Sequence, residues 1–224
     1  MPTIFEARMD GSEAIRYFHV PMVGFYLSSA FEYATSLSQT DDPILKLRNT
    51  ISTITFSAMT LEAFINEVSE NEIRSDLRDE FDRGQKKYKK PQGQSSIRFK
   101  FCRLLLDKHQ FEAPLEFADK LELLANLRNT LVHYKLSETA GKAIMEPVTK
   151  TVLRDGEAMF TIDFTKPPRR VEPPFLDKIS PEAGLKSYAI AIDALKIWLE
   201  LEGDIEQLKL LDTLAIPSSA EFHE

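Results

Sequence analysis

The sequence predicts a mainly α-helical protein, an antiparallel bundle of four to six helices with a small β-hairpin insert. Three observations lead there. Apolar residues recur at three- and four-residue spacing over long runs, as one buried helix face requires. Asp-Pro and Ser-Pro pairs, which start helices, precede such runs. β-branched clusters gather in one stretch, residues 144–165, around an Asp155-Gly156 turn signal.

The first helical spacing covers residues 13–37, with Ile15, Phe18, Met22, Phe25, Ala30, Tyr33 and Leu37 on one face. Pro21 interrupts it, because a mid-helix proline removes a hydrogen bond and crowds the preceding turn. Either the helix kinks there, or it starts near Pro21 and residues 13–19 form a separate turn. His19, beside the break, reads as a packing or surface residue. After the loop SQTDDP, a second helix is expected from Pro43 to about Glu70, with a continuation to Phe81 as its longer form. Its buried stripe is Ile51, Ile54, Ala58, Leu61, Ile65 and Val68, with Glu62 at the edge and Asn66 one turn on. In the continuation, Glu70 and Arg74 have the i,i+4 spacing of a helical ion pair.

Residues 83–108 hold nine Lys/Arg (Arg83, Lys86, Lys87, Lys89, Lys90, Arg98, Lys100, Arg103, Lys108) against one acid, Asp107. The local balance is +8, which leaves −15 for the rest of a chain whose net charge is −7. Gly84, Pro91 and Gly93 mark 84–94 as a flexible loop, and Ser95 or Ser96 can cap a helix reaching Lys108. Such a run reads either as a solubilising loop or as a phosphate-binding arm with Tyr88 free to stack on a base. In so acidic a chain the second reading is favoured.

A leucine-rich helix is expected from about Pro114 through LELLANLRNTLVHY, residues 121–134. At roughly 100° per residue, Glu122, Asn126, Asn129 and His133 share a narrow polar sector. The leucines occupy the opposite arc, and Arg128 falls among them, between Leu121 and Leu124. A buried, unpaired guanidinium is costly, so Arg128 needs a carboxylate or a wet cleft. Glu62 is the expected partner. Taken singly, Arg128 reads as half of a fixing ion pair, and His133 as a cation at a helix C-terminus, where the dipole favours it.

Beyond this helix, TVLR-DG-EAMFTI reads as a hairpin and residues 166–174 as an extended, proline-rich run. Ser180-Pro181 starts a helix that Gly203 ends, with Leu185, Tyr188, Ala189, Ile192, Leu195 and Leu199 inward. A short helix follows over about 205–214, and 217–224 reads as a disordered tail. The chain of 224 residues suits one domain with an elaboration at 142–174.

Composition narrows function by exclusion. Hydrophobic content of 43% and charged content of 28% are ordinary for a globular protein. One cysteine, Cys102, cannot staple a fold, which suits a reducing cytoplasm. The N-terminus lacks the basic and apolar regions of a secretory signal, and no apolar run approaches a membrane span. No HExxH, CxxC or His/Asp cluster suggests a metal site, and the eight glycines build no phosphate-cradling loop. His109 and His223 read as loop and tail residues. No cofactor is expected.

Arg128-Asn129-Thr130-Leu131-Val132-His133, closing a leucine-rich helix, resembles the R-x4-H signature of the HEPN domain family. The stretch SAMTLEAFINE, residues 57–67 with its acid Glu62, is similar to that family's preceding long helix. The likeness covers roughly residues 13–134, with the helix at 180–201 able to close the bundle. The insert at 142–174 is no part of the minimal bundle.

The resemblance implies a homodimer whose motif helices meet at the interface. It also implies metal-independent endoribonuclease activity, as in toxin–antitoxin, phage-defence or RNA-processing systems. Arg128 and His133 would be catalytic, Asn129 would orient or assist, and Glu62 and Asn126 would support them. RNA would be delivered by Lys86, Lys87, Lys89, Lys90, Arg98, Lys100 and Arg103. The competing class is a non-catalytic helical RNA-binding or protein-interaction module. A helper to a partner nucleotidyltransferase is a third, and an antitoxin is a further possible partner.

Overall fold

The computed structural model describes residues 3–10, 13–19, 22–133, 142–152, 158–163, 165–172 and 179–214. It is an all-α bundle. Its long helices are α1 (Met22–Gln39), α2 (Pro43–Glu72), α4 (Ser96–His109), α5 (Leu115–Val132) and α6 (Pro181–Glu202). Among the described residues, two short helices accompany them, α3 (Arg78–Arg83) and α7 (Ile205–Thr213). No described helix is long and apolar enough to cross a membrane.

Helix starts follow local chemistry. Asp42 accepts from the Ile44 and Leu45 amides at 2.8 and 3.2 Å, and Pro43 supplies the fixed φ of a first helical residue. Ser95 caps α4 through the Arg98 amide, and Ser180 caps α6 through the Ala183 amide. Gly203, at φ +73°, ends α6 in the left-handed region that glycine tolerates best.

α2 is the spine. It packs against α1, α4, α5 and α6. Neighbours in sequence run antiparallel: α1 turns back on α2, and α4 meets α5 with Arg98 at Asp119 and Ser95 at Glu122. α6 runs along α2 in the same direction, with Gly184 against Thr50 at one end and Trp198 against Phe64 further on. A Cβ on Gly184 would stand 2.9 Å from Leu37 Cδ2 and 3.3 Å from Thr50 Cα, so three helices close on that point.

The main core joins Leu61, Ile65, Phe81, Phe101, Leu104, Leu121, Leu124 and Trp198. A second cluster, between α1, α6 and α7, is centred on Ala30, Ala34, Tyr188 and Leu195. Phe64 and Leu199 pack against both, making the two continuous. Burial pushes the Tyr188 phenol well above its ordinary pKa, and its hydroxyl donates to the Leu214 carbonyl at 2.7 Å.

The described strands form three two-stranded antiparallel sheets. β1 (Thr3–Asp10) pairs with β2 (Glu13–His19). β3 (Lys142–Ile144) pairs with β6 (Arg170–Glu172), closing the base of the insert. Inside that clasp lies the expected hairpin, β4 (Pro147–Val152) with β5 (Ala158–Ile162). Its Asp155-Gly156 turn lies outside the described residues, as do Pro21, Tyr134 and the tail 217–224.

Several expectations are corrected. Residues 13–19 are a strand; their apolar spacing fits a helix, but β1 pairs with them along nearly their whole length. The long helix accordingly starts at Met22, with no kinked extension before Pro21. Phe25 is 57% exposed; α1 buries Ala30 and Leu37 as expected, and Leu27 and Ala34 in addition. α2 stops at Glu72, so Arg74 pairs with Asp76 at 2.9 Å rather than with Glu70. In α6, Ala189 is exposed while Ile190 and Ala191 are buried. His109 is the last residue of α4, edge-on to Trp198 at 4.8 Å.

Phe101 is fully buried and touches the rings of Phe64, Phe117 and Trp198. Phe101→Ala is expected to cost about 3–5 kcal/mol, read as a lowered urea midpoint at unchanged slope. A loss below about 1 kcal/mol would show that this junction is not the core's centre.

Candidate functional site

α5 carries the motif to the surface at its C-terminal end. Leu121, Leu124 and Ala125 are buried, which fixes the rotation of the helix against α2 and α4. Asn126, Asn129 and His133 are exposed, and Arg128 sits at the boundary between the two faces. His133 is the residue after the last helical turn, and its amide donates to the Asn129 carbonyl at 2.9 Å.

Arg128 has found the carboxylate that its helical position demanded. Its Nη2 lies 3.5 Å from Glu62 Oε2, a long contact at the outer limit of hydrogen bonding. Its Nη1 donates to Asn129 Oδ1 at 3.1 Å. The Arg128 and Glu62 side chains are 29% and 38% exposed, so the pair is wet and its net worth is small. Two acceptors on one side hold the guanidinium plane and leave the other N–H groups for a ligand.

Glu62 also lines a groove of about 360 Å³ between α1 and α2, with Met22, Tyr26, Met59 and Asn66. Sequence reading did not anticipate this groove. Glu62, Asn66 and Glu70, at four-residue spacing, are the signal that could have marked its polar edge.

Glu122, expected in the polar sector of α5, has another task. Both its oxygens accept from the Ser95 amide, at 3.2 and 2.9 Å. A carboxylate at the start of α4 answers both a spare N–H and the positive end of the helix dipole. Glu122 therefore ties α4 to α5 and is not available to Asn129 and His133.

The basic stretch looks different in space. Lys86 pairs with Glu80 at 3.0 Å, Arg98 with Asp119 at 2.9 Å, Lys100 with Asp82 at 2.7 Å and Arg103 with Asp107 at 2.8 Å. Lys108 bridges Glu72 and Glu202 at 2.7 and 2.6 Å, and Arg83 reaches Asp79 at 3.9 Å. Lys90 donates to the Gln94 carbonyl. Among the described residues, Lys87 and Lys89 are exposed and their ammonium groups pair with no carboxylate, and the Lys87 ammonium lies 5.5 Å from the Tyr88 ring.

Tyr88, expected to be free for stacking, is 5% exposed. It packs edge-on against Phe81 at 5.3 Å beneath the Arg103 guanidinium at 5.4 Å. Burial raises its pKa. Residues 84–94 are an ordered loop around a 3-10 turn at Lys86–Tyr88, closed by the Lys90 amide on the Gly84 carbonyl at 3.0 Å.

The basic residues and the motif lie on different parts of the surface. Arg98 meets α5 at Asp119, nine residues before Arg128, which is about 13 Å along the helix axis. Lys86, Lys100 and Arg103 face the α3 side of α4 through Glu80, Asp82 and Tyr88. A larger cavity, about 760 Å³, lies between α4 and the start of α5. Its walls are Phe99, Cys102, Leu106 and Ala118, and its arginines, Arg98 and Arg103, are each held by an aspartate. Burial pushes the Cys102 thiol above its ordinary pKa, away from the thiolate a nucleophile needs. Size therefore points to one place and chemistry to another, and Arg128 with His133 is the better candidate. No family model, curated protein or solved structure matches this chain.

A double-mutant cycle on Glu62 and Arg128 is expected to give a coupling of about 0.2–1 kcal/mol. A coupling above 2 kcal/mol, measured by denaturation, would mark the pair as a structural lock instead.

Proposed function

We propose that this protein is a HEPN-type, metal-independent endoribonuclease acting as a homodimer, in a toxin–antitoxin or phage-defence setting. The observation that carries the reading is the end of α5. There an oriented, accessible guanidinium, Arg128, stands one turn and a residue before an exposed imidazole, His133.

The chemistry needs three services. The 2′-hydroxyl oxygen attacks the adjacent phosphorus, the bond to the 5′ oxygen breaks, and a 2′,3′-cyclic phosphate and a 5′-hydroxyl result. A base takes the 2′-hydroxyl proton, an acid supplies one to the departing oxygen, and a cation steadies the charge on the phosphorane-like transition state. Imidazole, with an ordinary pKa near 6.5, serves as either acid or base at neutral pH. Guanidinium matches the phosphate oxygens. Arg128 and His133 diverge by roughly 140° about the helix, so one copy does not aim both at a single phosphate. A two-fold pairing of the motif ends brings a second copy of each and resolves that divergence.

The salt-bridged state of the basic stretch favours a second reading, a helical interaction module without catalysis. Cations already held by carboxylates contribute less to counterion release on RNA. Lys87 and Lys89 are then the first contacts for a phosphate backbone.

In the first reading His133→Ala lowers cleavage of a mixed-sequence RNA at least 100-fold. The melting temperature stays unchanged, and wild-type products end in a cyclic phosphate. Pure wild-type dimer that leaves RNA intact, or a His133→Ala variant that loses stability instead of activity, would turn the assignment to the module.

A further inference from the structure

Of the six described strands, β5 is the one whose residues include neither a charge nor a proline. It reads AMFTI. β1 and β2 carry Glu6, Arg8, Asp10, Glu13 and Arg16. β3 and β6 are three residues long and charged. β4, the partner of β5, starts on Pro147 and carries Lys150 at its middle.

Charges, prolines and shortness are how proteins keep strand edges from pairing with other chains. Five strands here have such protection and one lacks it. β5 has the composition that pairs most readily: β-branched and aromatic residues, no charge, no proline.

The surroundings of β5 agree. The β4–β5 sheet has two strands, and no third described strand joins it. An isolated two-stranded hairpin is marginal in water. Alternate residues of β5 turn their N–H and C=O groups away from β4, because an antiparallel ladder uses every second residue. The hairpin is also apolar where it is open. Met159 is 61% exposed and Ile162 40%, three residues apart and so on opposite faces. Val148 on β4 is 51% exposed.

We propose that β5 is a dimerisation edge, and that its occupant is β5 of a second copy, paired antiparallel to make a four-stranded sheet β4-β5-β5-β4. The symmetry of the strand itself argues for this occupant. A strand that pairs antiparallel with its own copy satisfies a two-fold axis, which is the commonest way identical chains close an assembly. With all five residues in register, Phe160 lies opposite Phe160 of the other copy, and Met159 lies opposite Thr161. No charge opposes its like anywhere along the five positions. The same pairing between two β4 strands would lack the Pro147 donors at its ends and bring the lysines close together.

This interface stands on the β5 edge alone, whether or not Arg128 and His133 cut RNA. Its consequence for cleavage rests on the proposed reading. Eight residues lie between His133, which caps α5, and Lys142, where the insert begins, and the nine steps reach at most about 30 Å. Joining two inserts therefore tethers two motif ends to one sheet and raises the chance that they meet.

The test is sedimentation equilibrium of the full chain at micromolar concentration. Wild type is expected to be a dimer. Met159→Lys with Thr161→Lys, which places charges on exposed positions of β5, should weaken association at least tenfold. Val148→Lys on β4 should leave it unchanged. Circular dichroism should report the same helix content in all three. In a Cys102→Ser background, Phe160→Cys should cross-link to a covalent dimer under mild oxidation, because cross-strand neighbours place Cβ atoms within disulfide reach, and Val148→Cys should not. A monomeric wild type without a Phe160→Cys cross-link overturns self-pairing and leaves the edge to a foreign strand. A dimer indifferent to the β5 lysines overturns it as well. A dimer indifferent to the β5 lysines sinks self-pairing alone and leaves the homodimeric ribonuclease reading standing. A monomeric wild type counts against both, and cleavage by wild type against His133→Ala then judges the ribonuclease reading by itself.

Discussion

The buried surface of α2 is the constraint on which the bundle depends. A helix packed on several sides is usually lined with large apolar residues, yet this one buries Asn49, Thr50, Thr53, Ser57, Thr60 and Ser69. Small side chains let neighbouring backbones come close, and hydroxyls in such a place need acceptors. Thr50, Thr53 and Thr60 each donate to the carbonyl four residues back, at 2.8 Å. Asn49 donates to the Ser36 hydroxyl on α1 at 2.8 Å. An unsatisfied buried hydroxyl costs roughly 1–3 kcal/mol, so these bonds make the close packing of α1 and α6 tolerable. Gly184 is the counterpart on α6. The same spine places Glu62 where α5 delivers Arg128.

Charge in this protein is arranged by folding more than by sequence. The run from 83 to 108 is strongly basic along the chain, but its surplus is met by acids from elsewhere: Glu72, Asp79, Glu80, Asp82, Asp119 and Glu202. The stretch acts as an electrostatic seam joining α2, α3, α5 and α6 to α4. Most of these pairs are partly exposed, where each is worth little singly, and the seam matters for orientation more than for stability.

What could be read from sequence depended on range. Helix boundaries at Asp42, Ser95, Ser180 and Gly203 were legible because a cap is settled within four residues. The pairing of β4 with β5 was legible from the β-branched runs that lie close together in sequence. The Glu62–Arg128 contact was legible at longer range because each residue sat at the wrong place on its own wheel, and two misfits find each other. Residues 13–19 were not legible as a strand. Ile15 and Phe18 suit a helix as well as a strand, and β1 decides between them through hydrogen bonds that leave no mark on composition. Tyr88 was misread because a tyrosine amid lysines looks exposed, whereas Phe81 and Arg103 bury it. The neutralised cations and the role of Glu122 are tertiary facts, set by which helix lies beside which.

One pole of the bundle has a particular vulnerability. α2, α4 and α6 end together there, bringing the negative ends of three helix dipoles close to Glu72 and Glu202. Lys108 is the cation between those carboxylates, with its ammonium 5.3 Å from the Trp198 ring. Burial opposes its charge, but hydrogen bonds to Glu202 and Glu72 prevail and hold its pKa above the ordinary lysine value. A raised lysine pKa means stabilisation that is complete at neutral pH and fades once alkalinity passes the lysine range. Alkaline loosening should thus travel inward from this end of the molecule, reaching the Trp198 side of the core before the Ser180 end of α6.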